Sequence, residues 1–242
     1  MKLALSTMTK NQGSRLEEWI LYHKNLGHEK FIIFLDECSD NSEQVLKKLI
    51  LDDTDIDYFK TEIDFTNLMS LHWINRSHEV YNYVLNNYSH SYDWISFIEL
   101  DEFIFPQKKG IDFKFFLSGL NTNCYYINSW DLRPPFNEEE PILGQSYHIW
   151  SDEQRYNSIY MWRGKSVIKP KEFIRCVDAH HFLQKNNTVS QEFKVQHTNF
   201  LQKNYGSEVV IDDYSFRIYH FRNHTDVGNP NRDMTNYIQI TY

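Results

Sequence analysis

Three acidic side chains crowd one short stretch behind an apolar run: Trp94-Ile95-Ser96-Phe97-Ile98 leads straight into Glu99-Leu100-Asp101-Glu102. A second apolar run, Phe31-Ile32-Ile33-Phe34-Leu35, leads into Asp36-Glu37-Cys38-Ser39-Asp40. Carboxylates grouped in this way suit a hard divalent cation. Mg²⁺ or Mn²⁺ takes oxygen ligands, usually one or two carboxylates together with the phosphates of a substrate. A third run, Leu3 to Thr7, ends in Met8-Thr9-Lys10-Asn11. Neither GxGxxG nor GxxxxGK[ST] occurs, which disfavours a dinucleotide fold and a P-loop NTPase. A cation held by carboxylates is the alternative means of neutralising phosphates.

Other residues carry chemistry with less local context. Lys165, Lys169, Lys171 and Arg175 form a basic run that reads either as a solvated edge or as a partner for a leaving diphosphate, a role Arg222 could share. Asp131 lies in the second half of the chain near a strand end and is the first candidate for a general base, with Asp152 and Glu138 as rivals. Trp130, Trp150 and Trp162 read as core or as sugar-stacking faces. Asp36 reads as a turn residue or as a nucleoside contact. With 11 histidines in the chain, His148, His197 and His224 carry no signal individually.

The elements that must position these groups follow from hydrophobic period. The two apolar runs around residues 3–7 and 31–35 suit strands buried on both faces. Between them, Ser14 and Glu17 have capping-box spacing, and Leu16, Trp19, Ile20, His23 and Leu26 share a face that Gly27 terminates. This is a β-α-β unit with a right-handed crossover and parallel strands. Asp40 and Glu43 open a second helix with Val45, Leu46, Leu49 and Ile50 on its apolar face. A strand follows near Ile56–Phe59, then a longer helix from Trp73 to Tyr88, then the strand at Trp94–Ile98. Such alternation predicts an open, doubly wound, mostly parallel α/β sheet. Ligands of such sheets bind outside the carboxyl ends of the strands, where the acidic clusters and Lys10-Asn11 fall. Past Gly110 the pattern weakens: a short helix near 112–117, strands near 125–127, 166–168 and 216–219, and loops beyond Pro134. The partition expected is one domain over 1–242, with a nucleotide-binding half (1–110) and an irregular, substrate-shaping half (111–242).

Composition narrows the classes. The 242 residues are 41% hydrophobic, 24% charged and 16% aromatic, which describes a globular protein. A net charge of −8 argues against a nucleic-acid partner and against more than peripheral membrane contact. Cys38, Cys124 and Cys176 are odd in number and widely spaced, which points to a reducing, cytoplasmic setting. The opening apolar stretch is too short for a signal peptide, and no run of about 18 apolar residues predicts a membrane span. The triplets at Asn75, Asn186 and Asn223 are chance matches to the glycosylation pattern in an Asn-rich chain.

Glu99-Leu100-Asp101-Glu102-Phe103 resembles the Asp-x-Asp-Glu-Phe motif of the family 92 glycosyltransferases and their family 2 relatives, which have the GT-A fold. Further pieces agree in order: Lys10-Asn11 with Arg15-Leu16-Glu17-Glu18-Trp19 and Tyr22-His23, then Asp36 with Ser39-Asp40. Lys165-Ser166-Val167-Ile168-Lys169-Pro170, His180-His181 and Tyr219-His220-Phe221-Arg222 follow. The resemblance implies a metal-dependent transferase that moves a sugar from a nucleotide diphosphate sugar, UDP-linked, to a hydroxyl of a glycan or lipid-linked glycan, with inversion. It implies Mn²⁺ or Mg²⁺ on Asp101, with Glu99, His180, His181 and His220 as further ligands. Glu99 stands where the family has Asp, and its longer side chain could reach the ribose or a bound water instead. Thr7, Lys10, Asn11, Arg15, Asp36, Glu99, Lys165 and Lys169 are the implied donor contacts, and Glu102 joins Asp131 as a catalytic candidate. A bacterial surface polysaccharide, capsule or lipopolysaccharide, is the pathway expected from the Asn/Lys/Ile/Tyr-rich composition, with the enzyme in the cytoplasm or at the inner face of the membrane. The rival readings are a sugar nucleotidyltransferase and a non-catalytic carbohydrate-binding protein on the same fold.

Overall fold

The computed structural model describes residues 1–127, 129–133, 143, 146–149, 164–178, 180–185, 209–211, 215–221 and 236–239, with the backbone alone for 130–133, 146–149, 209–211 and 236–239. The expected β-α-β unit is present: β1 (Leu3–Thr9), α1 (Gly13–Asn25) and β2 (Lys30–Leu35), with Ser6 opposite Ile32 in a parallel pair. α2 (Ser42–Leu51) then carries the chain to β3 (Ile56–Lys60), parallel to β2. A single turn, α3 (Thr61–Asp64), leads towards α4 (Trp73–Tyr88), and β4 (Trp94–Phe97) pairs parallel to β1 on its other side.

The next elements are β5 (Glu102–Pro106), α5 (Phe113–Ser118), β6 (Cys124–Ile127), β7 (Ser129–Arg133), β8 (Ser146–Ile149) and β9 (Lys165–Ile168). They are followed by β10 (Phe173–Cys176), β11 (Phe182–Gln184), β12 (Val209–Ile211), β13 (Phe216–Phe221) and β14 (Asn236–Gln239). The main sheet has seven strands in the order β12-β6-β9-β4-β1-β2-β3, with β9 antiparallel to both neighbours. The mostly parallel α/β reading therefore holds, with one reversed strand. A second sheet, β14-β8-β7-β13-β5, was not legible as such, and β10 and β11 form a hairpin beyond Pro134 where loops were expected.

Helices cover both faces of the main sheet, which is why Phe31 to Leu35 form an unbroken apolar run. On one face Trp19, Phe31, Ile33, Phe103, Phe113 and Phe216 pack together; on the other, Ile32, Phe34, Val80, Val84, Ile95 and Phe97 do. Each such buried side chain contributes roughly 1.5–3 kcal/mol. Gly27 ends α1 at φ +112°, a conformation closed to most L side chains.

One local expectation is corrected. α1 begins after Gln12 with no capping side chain there, so Ser14 and Glu17 do not form its cap. Asp40 serves instead: it accepts the Gly13 N–H (2.8 Å) and, at the head of α2, the Ser42 N–H (3.1 Å) and hydroxyl (2.6 Å). The loops after β1 and β2 run side by side, so one carboxylate faces the positive ends of two helices. Although burial opposes it, this donor set holds the Asp40 carboxyl below its ordinary pKa.

Candidate metal centre

β4 ends at the carboxyl edge of the main sheet, and the chain there makes a tight turn before leaving as β5. Within that turn Glu102 N–H donates to the Glu99 carbonyl at 3.0 Å, so Glu99 and Asp101 are displayed on a short loop between two strands of different sheets. β13 lies antiparallel to β5 with His220 opposite Glu102, and Phe221 N–H donates to the Asp101 carbonyl at 2.8 Å. That register brings the His220 ring to Asp101, Nε2 to Oδ2 3.2 Å. One ligand atom from each of Glu99, Asp101 and His220 lies within 4.8 Å of the others. The Glu99 and Asp101 side chains are 37% and 23% exposed, whereas Glu102 is 2% exposed. Two accessible carboxylates and one imidazole suit Mn²⁺, and the carboxylates suit Mg²⁺.

Behind this face lies a buried charge layer. Lys165, at the start of β9, places its amine 3.1 Å from Glu99 Oε1 and 3.6 Å from Glu102 Oε2. Burial works against the ammonium, but Glu102 and Glu99 together raise its pKa. Lys165 also holds the Glu99 carboxyl down to about 2 against the cost of burial. Burial dominates at Glu102 and pushes it up to about 7. Its Oε2 accepts the Glu99 N–H at 2.8 Å, and its Oε1 lies 3.7 Å from His220 Nδ1.

The structure sorts the expected site residues. Glu99, Asp101 and His220 come together. Lys165 joins them from behind through Glu99, and no phosphate could reach its amine, which is 1% exposed. Glu102 is likewise too buried to touch a substrate, so its catalytic assignment is corrected to one of support. His180 and His181 lie outside the cluster. His180 Nδ1 bonds the Gly164 carbonyl (2.7 Å), and burial, then Lys165, lower its pKa to about 4. His181 Nδ1 lies 2.9 and 3.0 Å from the two carboxylate oxygens of Asp178, and its ring stacks on Tyr126. Lys169 belongs to the opposite edge. β9 runs antiparallel to β4, so Lys165 and Lys169 stand at opposite ends of it, and the Lys169 amine sits 5.1 Å over the Trp94 ring. Lys171 and Arg175 are exposed, as a solvated edge requires.

At the other side of the crevice, Asp36 is corrected from a donor contact to a buried strut. Its carboxylate takes Arg76 Nε at 2.9 Å and Nη2 at 2.8 Å, with the Thr61 hydroxyl at 2.9 Å. Thr7 is fully buried within β1, and Arg15 is buried on α1. Lys10 and Asn11 are exposed: Lys10 pairs with Glu37 at 3.1 Å, and Asn11, at φ +52°, accepts the Ser39 N–H at 2.7 Å. Asp131 lies in β7 beside His220, its register partner in β13. Asp152, Glu138, Arg222, Trp150 and Trp162 lie outside the described residues. Sequence reasoning missed Arg76, although a cation on the otherwise apolar face of α4 was a signal. It also missed Asp178, three residues before His181.

The sequence profile of glycosyltransferase family 92 matches residues 4–237. A glycosyltransferase family 92 protein of Arabidopsis thaliana is 24% identical over 232 residues, covering 90% of this chain and 36% of that protein. One from Ricinus communis is 26% identical over 105 residues, covering 42% of this chain and 17% of that protein. The chain thus spans about a third of the Arabidopsis relative's length. Among solved structures, GalNAc-T7 with UDP, GalNAc and Mn²⁺ aligns with 95% of this chain and 45% of its own, at TM-score 0.47 and 11% identity. Mannosyltransferase PcManGT from Pyrobaculum calidifontis, in complex with GDP-Man and Mn²⁺, aligns with 53% of this chain and 35% of its own, at TM-score 0.39 and 10% identity.

Proposed function

The chain belongs to glycosyltransferase family 92, and on that basis we propose that it transfers a sugar from a nucleotide diphosphate donor, UDP-linked, to a hydroxyl of a glycan acceptor. The observation that carries this reading is the meeting of Glu99, Asp101 and His220 at the carboxyl edge of a mostly parallel sheet. A divalent cation bound there would offset charge on the donor's diphosphate as the sugar departs. Glu99 and Asp101 supply anionic oxygens for it, and His220 supplies a nitrogen.

The protein's own groups then divide the work. The exposed loop after β1 that carries Lys10 and Asn11 is the proposed nucleoside contact, a reading supported by its position beyond the carboxyl end of that strand. Asp131, beside His220 in the neighbouring strand, is the proposed base that takes the proton from the acceptor hydroxyl as it attacks the anomeric carbon from the opposite face. Attack from that face inverts the configuration. Asp131→Asn is expected to cut turnover on the order of 10²–10⁴-fold while leaving donor binding intact; near-normal turnover would remove the assignment. The proposed setting is cytoplasmic, supported by three cysteines that are free, and the proposed role in a surface polysaccharide rests on the Asn/Lys/Ile/Tyr-rich composition alone.

Incubation with a panel of UDP-, GDP- and CMP-sugars and Mn²⁺, with nucleotide release as the readout, tests the reading. Release of a nucleoside diphosphate is expected. Pyrophosphate formed from a nucleoside triphosphate and a sugar phosphate would identify a nucleotidyltransferase instead.

A further inference from the structure

Lys165, expected to contact the donor, is instead buried behind the site. A fully buried ammonium is costly unless its partners are fixed, and here one of those partners belongs to the solvent-facing cluster. Its amine bridges Glu99 Oε1 (3.1 Å) and Glu102 Oε2 (3.6 Å), and the same Glu102 oxygen accepts the Glu99 backbone N–H (2.8 Å). Glu99 is therefore gripped twice, at its side chain by Lys165 and at its backbone by Glu102.

Lys165 is itself fastened from both sides. The carbonyl of the residue before it, Gly164, accepts from His180 Nδ1 at 2.7 Å, and the residue after it, Ser166, donates its hydroxyl to the His180 carbonyl at 2.5 Å. Gly164 allows the strand to start there. A Cβ at that position would fall 2.3 Å from the Ile127 carbonyl oxygen and 2.5 Å from the Tyr126 ring. His180 sits in the tip of the β10–β11 hairpin, and Asp178 holds that tip by accepting the N–H groups of His180 (2.7 Å) and His181 (2.9 Å). The hairpin is anchored in turn on α4, where Cys176 N–H donates to Asn82 Oδ1 at 2.7 Å.

We infer that Lys165 is a positioning residue for the cation site: clamped by the hairpin tip through His180, its buried ammonium fixes Glu99 in the orientation in which it binds a divalent cation. This inference rests on the reading of Glu99, Asp101 and His220 as that site. It gives His180 a task that does not require it to be a ligand. It also explains why Lys165, a basic residue beside the cluster, is inaccessible to phosphate.

The test is Mn²⁺ binding to the purified protein, followed by the loss of the free-ion electron paramagnetic resonance signal. Lys165→Met alone would leave Glu102 buried and uncompensated, so the informative variant is the pair Lys165→Met/Glu102→Gln. It removes one positive and one negative charge and keeps an acceptor for the Glu99 N–H. Glu102→Gln alone retains the Lys165–Glu99 contact and serves as its reference. The expected result is a further loss of roughly 10–100-fold in Mn²⁺ affinity for the pair beyond whatever Glu102→Gln loses by itself, the range found when groups supporting metal ligands are removed. Should circular dichroism show the pair unfolded, Lys165→Gln/Glu102→Gln keeps two mutually bonding amides, and its shorter side chain stops short of Glu99; the same loss is expected. An affinity in a folded pair equal to that of Glu102→Gln overturns the inference and leaves the site standing, provided Asp101→Asn abolishes binding. A wild-type chain that binds no Mn²⁺ overturns the site and the inference together.

Discussion

Asp101 and His220 are 119 residues apart in sequence, yet their side chains meet at 3.2 Å because the backbone on either side is paired. Phe221 N–H bonds the Asp101 carbonyl, and His220 faces Glu102 across two antiparallel strands. The contact is thus a product of sheet register. A shift of one residue in β13 would turn the imidazole to the other face of its sheet.

Asp40 is expected to matter for stability and not for the cation. It is the shared cap of α1 and α2, so Asp40→Ala should destabilise the protein by about 1–2 kcal/mol. Urea unfolding measures that loss, and Mn²⁺ affinity should be unchanged. A weakened Mn²⁺ affinity with normal stability would return Asp40 to the site.

Arg76 and Asp36 form a buried bidentate pair, their side chains 9% and 3% exposed. Arg76→Leu strands a carboxylate in the interior and should cost about 3–5 kcal/mol, whereas the double change with Asp36→Asn should recover much of it. Thermal unfolding of the single and double variants checks this. If the single variant melts like wild type, the strut is unimportant and a ligand role for Asp36 is open again.

His23 and His28 supply a pH dependence. Both are fully buried, and burial lowers each pKa, that of His28 to about 3 and that of His23 well below its ordinary value. His23 Nδ1 bonds the Trp19 carbonyl (2.8 Å), so its Nε2 must be the unprotonated acceptor of the Ile104 N–H (3.3 Å). In the same way His28 Nδ1 bonds the His23 carbonyl (3.1 Å), leaving Nε2 to accept from the Ser96 hydroxyl (2.9 Å). A histidine whose folded pKa is depressed binds protons more readily when unfolded, so stability falls as pH drops below about 6.5. The slope is about 1.4 kcal/mol per pH unit for each such histidine. Urea midpoints between pH 7 and 4 should show this fall, and His28→Gln should reduce its steepness. An unchanged slope would mean that His28 is protonated in the folded state.

The parallel core was legible because its signals are local. Apolar runs at Phe31–Leu35 and Trp94–Ile98, together with the periodic helix Leu16–Trp19–Ile20–His23, each specify an element within a dozen residues. The acidic turn at Glu99–Asp101 could be placed from the same logic, since the carboxyl ends of such strands form the crevice. What the sequence left hidden is long-range. Which histidine joins Asp101 depends on the pairing of β13 with β5, and His180, His181 and His220 are equivalent until that register is seen. Five acidic residues looked like one site: Asp36, Asp40, Glu99, Asp101 and Glu102. Their partners divide them into a strut, a double cap, two accessible carboxylates and a buried support, and those partners (Arg76, Gly13, Lys165) come from elsewhere in the chain.

The most direct measurement is the rate of UDP release from a UDP-sugar turned over by the wild-type protein, compared with Asp101→Asn and His220→Asn, with Mn²⁺ and after EDTA treatment. Release should require the added ion and fall on the order of 10²–10³-fold in each variant, the scale on which lost electrostatic stabilisation of a leaving group is felt. Full-rate release in EDTA, or variants that turn over like wild type, would contradict a metal-assisted transfer at Glu99, Asp101 and His220.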